Sequence, residues 1–295
     1  MNCRLIAVLA IAATACQRPA LLDQLQRATW VDLTYDFSSE TIYWPTAKPF
    51  QLEVVSAQRT PGGYYYAANN FAAAEHGGTH LDAPVHFAEG HWTTDQIPVT
   101  RLVGRAAVVD VSRQADADRD YLITPADLMA WEQAHGPVGE EMLVLFRTGW
   151  GSRWPDRARY LGTTKTGQAA VHELHFPGIH PDAARWLVQR RVRAVGIDTP
   201  SIDRGQSTTF DTHQILFAAD IPAFENVAHL SALPPVERVS WDEGVLAVHT
   251  RDAQAALVPI MEQVNSKNLR ITHLEILEPN LENVFLQLTG KKLRE

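Results

Sequence analysis

Residues 76–87 read HGGTHLDAPVHF. Four side chains able to bind a metal or carry a proton, His76, His80, Asp82 and His86, fall within eleven positions. His80 and Asp82 are two apart, so an extended backbone points both to one face. Gly77 and Gly78 allow a close turn that brings His76 back beside them. Pro84 fixes the turn that presents His86. A lone histidine is more often a core or surface residue than a ligand; three with an aspartate, flanked by glycines, read as a site. Imidazole nitrogen with carboxylate oxygen suits Zn2+ or Mn2+ rather than a thiolate-preferring metal. The two cysteines, Cys3 and Cys16, both lie near the start of the chain. Any metal further along is therefore held by His and carboxylates, without a disulfide framework or a cysteine nucleophile.

Outward from this stretch the pattern is mixed. TWVDLTY (29–35) alternates and is rich in β-branched and aromatic residues, which predicts a strand. QLEVVSAQ (51–58) and YYYAANNF (64–71), joined by Pro61-Gly62-Gly63, predict a hairpin. RAAVVDVS (105–112), MLVLFRT (142–148) and VRAVGID (192–198) predict further strands. Thr124-Pro125, with Asp127 three after the cap, opens a helix. Pro181 to Arg190 is another, with Ala184, Leu187 and Val188 on one face. Residues 155–180, with glycines, prolines and histidines, read as a long loop beside the site. Strands early and αβ alternation later give a mixed α/β class.

HGGTHLDAPVHF resembles the signature of the cyclase-type metal hydrolases, the family that includes bacterial kynurenine formamidase and isatin hydrolase. GIDTPSIDRGQSTTFDTHQILFAADIPAFENVAHLSALPP (196–235) resembles that family's second half, so the likeness runs from about residue 29 to 235. The resemblance implies a mixed-sheet β/β/α swivelling-type cyclase fold over residues 22–238. It implies that His76, His80 and Asp82 bind a first metal. His213 and Glu225 would complete a second site with Asp82 bridging, giving one or two ions of Zn2+ or Mn2+. His86 matches the proton-transfer residue. Family members are dimers or larger, which implies a homodimer here.

The activity implied is hydrolysis of an aryl amide, arylformamidase-like (N-formyl-kynurenine to kynurenine and formate, in tryptophan catabolism), with isatin-hydrolase-like opening of a cyclic amide as the alternative. A lactone or imide hydrolase shares the metal chemistry. Trp44, Tyr66 and Phe87 are candidates for stacking on a flat substrate, or are core aromatics. His91, His135, His172, His175, His180, His229, His249 and His273 lack a ligand-spaced partner, although His172 and His175 could line the pocket from the long loop. Asp198 and Ser201 shape either the site floor or a structural turn.

Composition sets the remaining bounds. A net charge of -8 offers no basic cluster for nucleic acid or an anionic membrane, and 45% apolar content supports a real core. Residues 1–15 carry Arg4, a short apolar run from Leu5 to Ala13, and small residues at 13–15, the pattern of an export signal. Cys16 directly after them also fits a lipoprotein leader, so the chain is expected in the periplasm or lipid-anchored to the cell envelope. From about residue 240 the family likeness stops. A strand at 245–249, a helix opening at Asp252, a strand at 270–277 and a helix near Pro279 form a small αβ C-terminal appendage. PNLENVFLQLTGKKLRE resembles the end of ABC-transporter ATP-binding subunits, yet no phosphate-binding G-x-x-x-x-G-K-[ST] loop accompanies it. A fused tail of this kind keeps open a different class, a non-catalytic metal-binding relic.

Overall fold

The structure is a computed structural model that describes residues 28–232, 236–242, 245–250, 257 and 261. The leader with Cys16, the helices expected at Asp252 and Pro279, the strand at 270–277 and the ABC-like tail lie outside the described residues. Backbone contacts separate residues 1–32 from 33–295. The architecture that follows is that of the second unit.

Strand β1 (Gln51–Arg59) pairs antiparallel with β2 (Tyr65–Ala72) as a hairpin standing apart from the other sheets. Leu52 opposite Phe71, Val54 opposite Asn69 and Arg59 opposite Tyr65 share one face, and that face is exposed. Residues 29–35 form no strand. Their alternation is met by single bonds: Leu33 O accepts from Ala228 N at 2.8 Å and Tyr35 N donates to Thr79 Oγ1 at 2.9 Å.

The central sheet is mixed and five-stranded. Its strands are β3 (His80–Asp82), β4 (Arg105–Asp110), β6 (Met142–Arg147), β8 (Ala194–Ile197) and β9 (Ala223–Glu225), in spatial order β3-β9-β8-β6-β4. All neighbours are parallel except β3 with β9. Parallel pairing requires crossovers. Helices α1 (Ser112–Ala117) and α2 (Pro125–His135) link β4 to β6; α3 (Arg157–Leu161), α4 (Gln168–Val171) and α5 (Pro181–Arg190) link β6 to β8; α6 (Asp211–Phe217) precedes β9. Two-residue strands β5 (Leu122–Ile123) and β7 (Gly178–Ile179) pair beside them. The Asp127 carboxylate accepts from Thr124 N at 2.7 Å, closing the start of α2.

β6 and β8 are covered on both faces, which explains their unbroken apolar runs. Val144, Phe146, Ile197, Leu187, Leu216 and Phe217 pack into one cluster around them. β10 (Val236–Asp242) and β11 (Val245–Thr250) form a separate antiparallel pair, and the boundary expected at 238–240 falls within β10. Among the described residues no helix is long and apolar enough to cross a membrane.

Candidate active site

The parallel strands β8 and β9 point their C-terminal ends at one place, where open α/β sheets bind ligands. β3 runs against β9 so that His80 sits directly opposite Glu225. Facing residues of an antiparallel pair bring side chains within about 5 Å. This register joins two residues far apart in sequence. Gly77 and Gly78 deliver His76 to the same point. A Cβ on Gly77 would lie 2.1 Å from the Tyr43 ring, and Gly78 has φ +59°, so neither position accepts a side chain without strain. Pro84 opens the single 3-10 turn Pro84–His86, which holds His86 at the exposed mouth. α6 contributes His213 from behind.

The six side chains converge. His76 Nδ1 lies 3.0 Å and His80 Nε2 3.2 Å from Asp82 Oδ1. His213 Nε2 lies 3.5 Å from Asp82 Oδ2 and 3.3 Å from Glu225 Oε1. His80 Nε2 is 3.5 Å from Glu225 Oε2. The His86 ring stacks on His76 with centroids 4.0 Å apart. Ligand atoms of His76, His80 and Asp82 form one close group, and those of Asp82, His86 and His213 a second that shares Asp82.

Each buried imidazole is anchored from behind. His80 Nδ1 lies 2.9 Å from Gly78 O, and a carbonyl oxygen only accepts, so Nδ1 donates and Nε2 faces the cluster. His213 Nδ1 donates to Asp203 Oδ2 at 2.6 Å, and its main-chain N donates to the same oxygen. Ile202 N donates to Glu225 Oε1 at 2.7 Å.

Burial alone would drive His80 toward its neutral form, but the Asp82 and Glu225 carboxylates outweigh it and hold its pKa up at about 9. Burial likewise opposes a charge on His213, yet Asp203, Asp82 and Glu225 raise it well above the ordinary value. Burial would raise Asp82, but His213, His76 and His80 hold it well below the carboxylate range. His86 goes the other way. Burial pushes it down to about 4, against the pull of Asp82 and with help from His76 and His213.

These residues fit a divalent cation. His80 Nε2 and both Asp82 oxygens are buried and make no hydrogen bond, although each lies beside polar neighbours. A buried polar atom without a partner is costly, and several aimed at one point accept a shared cation instead. Two ring N–H anchors, from His80 to the Gly78 carbonyl and from His213 to the Asp203 carboxylate, are the outer contacts that metal-binding imidazoles use.

Beside the cluster opens a cavity of about 240 Å³. Trp44 and Phe87 line it; so do Phe210 and Ser201. Trp44 packs edge-on to Phe176 and Phe210. Tyr66 is corrected: it lies exposed on the hairpin, not in the cavity. Asp198 is also outside the cavity lining. It is buried and accepts from Thr148 N and Gly149 N at 2.9 Å each, a structural turn. His175 pairs with Asp120 at 2.7 Å, and His172 lines a separate cavity of about 180 Å³ that shares Phe210 with the first. Asp203, Asn226 and Phe210 were not singled out from the sequence. Asp203 sits in the DTPSID turn, five residues from Asp198, where its reach back to His213 leaves no local signal.

Known proteins are similar to this chain in sequence and in fold. A family model described as "Putative cyclase" matches residues 31–204. Isatin hydrolase of Roseibium aggregatum is 33% identical over 180 residues, 58% of this chain and 66% of that enzyme, so the match spans slightly under two thirds of its length. Kynurenine formamidase of Bacillus thuringiensis is 25% identical over 203 residues, covering 69% of this chain and 84% of that enzyme. Among solved structures, isatin hydrolase A from Ralstonia solanacearum superposes with a TM-score of 0.65 at 33% identity, covering 77% of this chain and 90% of that one. Isatin hydrolase A from Labrenzia aggregata, bound to benzyl benzoate, gives 0.61 at 32%, covering 69% and 82%.

Proposed function

The chain belongs to the Cyclase family, and from that premise we propose that it is a metal-dependent hydrolase that opens a cyclic aryl amide of the isatin type. The cavity wall carries the choice of substrate. Trp44, Phe87 and Phe210 are aromatic, and among the described residues no Lys or Arg lines it. A flat, uncharged ring needs aromatic faces and no counter-ion. N-formyl-kynurenine is the second reading, supported by likeness to the formamidases over 69% of this chain. Its amino-acid carboxylate, once desolvated, calls for a cationic partner.

We assign His76, His80, Asp82, His213 and Glu225 to holding one or two ions of Zn2+ or Mn2+, with Asp82 shared. When bound, such a cation makes hydroxide available near pH 7 and withdraws charge from a carbonyl. The chain supplies the rest. The aromatic wall holds the ring faces. His86, kept neutral by its burial, takes a proton from the attacking water and returns it to the leaving nitrogen. Oxygen from water joins the carbonyl carbon, the C–N bond breaks, nitrogen gains one proton, and the new acid sheds the other.

The test is hydrolysis of isatin and of N-formyl-kynurenine by protein loaded with Zn2+ or Mn2+, beside a His80→Ala control. Isatin turnover that disappears in the control is expected. Faster turnover of N-formyl-kynurenine would reverse the order of the two readings. Folded, metal-loaded protein that turns over neither points to a lactone or imide. A chain that holds no metal overturns the metal-dependent hydrolase.

A further inference from the structure

Asn226 follows Glu225 and is 3% exposed, with φ +52°, a left-handed conformation that asparagine tolerates better than most residues. Its four polar groups are all engaged, and with different parts of the chain. Its main-chain N donates to Thr199 O at 2.9 Å, beyond the end of β8. Its carbonyl accepts from Thr79 Oγ1 at 2.7 Å. Its side-chain Oδ1 accepts from the fully buried Tyr160 hydroxyl at 2.8 Å. Its Nδ2 donates to Gly78 O at 2.9 Å.

That last oxygen is also the acceptor for His80 Nδ1, at 2.9 Å. One carbonyl thus joins the Asn226 amide to the imidazole. The amide orientation is forced, because the reversed amide would set its oxygen against the Gly78 oxygen. We propose that Asn226, oriented by Tyr160, is a positioning residue that fixes which His80 nitrogen faces the metal and how far the ring reaches toward it. The proposal rests on the assignment of His80 as a ligand. Gly78 is gripped by the Asn226 side chain and Thr79 by its main chain, so residue 80 has little freedom of its own. An aspartate at 226 keeps the size but loses the donor, and places a carboxylate against the Gly78 carbonyl.

The experiment titrates Co2+ into metal-free full-length protein and into Asn226→Asp and Tyr160→Phe variants, reading affinity and the visible absorption bands of the bound ion. Groups that hydrogen-bond a metal-binding imidazole directly are worth about 10- to 100-fold in metal affinity, and Asn226 acts one bond further out. Asn226→Asp is expected to weaken Co2+ binding by about 10-fold, the lower end of that range, and to shift the bands. Tyr160→Phe, which leaves Asn226 in place, is expected to shift them in the same sense by less. Should Asn226→Asp fail to fold, Tyr160→Phe decides. Variants with wild-type affinity and wild-type bands overturn the proposal while leaving the metal assignment intact. A wild-type chain that binds no Co2+ overturns both.

Discussion

The two walls of the site are held in opposite ways. Residues 76–86 are one continuous stretch; His76 keeps 35% of its side chain exposed and His86 stands at the mouth. The other wall draws Asp203, His213 and Glu225 from a loop, a helix and a strand, and each of these is under 7% exposed. Its groups have partners behind them: Asp203 behind His213, and Ile202 N behind Glu225. The two ends of the first wall, His76 and His86, are arranged for traffic of protons and substrate, while its middle, His80 and Asp82, shares the fixed geometry of the second.

The largest effect should follow from His86→Ala on the open wall. General acid–base catalysis contributes about 10²- to 10⁴-fold, so turnover should fall by that factor with metal content unchanged. Because His86 also lies within ligand reach of Asp82 and His213, metal lost from this variant would place it among the ligands instead. On the buried wall, Asp203→Asn should weaken metal binding by about 10- to 100-fold and change turnover at saturating metal far less. Equal loss of turnover at saturating metal would erase the division between the walls.

The smallest effect concerns the metal-free fold. The His80 pKa, at about 9, lies above the ordinary 6.5. Its retained proton therefore stabilises the fold fully below about 6.5, and that contribution fades as pH rises through about 9. The melting temperature of metal-free protein should fall across this window by roughly a few degrees. A flat profile would mean that the carboxylates do not hold the proton.

Legibility in the sequence follows the same division. The open wall could be read from local spacing, because a two-residue period and paired glycines are properties of a short segment. His213 and Glu225 came only from family likeness, since Glu225 meets His80 through the β3–β9 register and His213 arrives on α6. β3 and β9 have three residues each and carry no periodic signal. Longer strands at 51–59, 105–110 and 142–147 were legible for the converse reason. Helix α1 went unread because Ser112–Ala117 has no side-chain cap and only one buried residue. The alternation of 29–35 misled, being spent on isolated bonds to Ala228 and Thr79 rather than on a ladder.

The hairpin leaves the chain just after Trp44 on the cavity wall and returns just before His76. Its base is stitched shut by Ala74 N to Lys48 O at 3.3 Å and Trp44 N to His76 O at 3.4 Å. The excursion is thus a module plugged into a closed socket. Lengthening such an arm costs little, about 0.6 kcal/mol per doubling, since closure entropy grows only with the logarithm of length. Evolution can therefore redraw the outer silhouette of this enzyme at that one socket while the cation seat beneath it stays as it is.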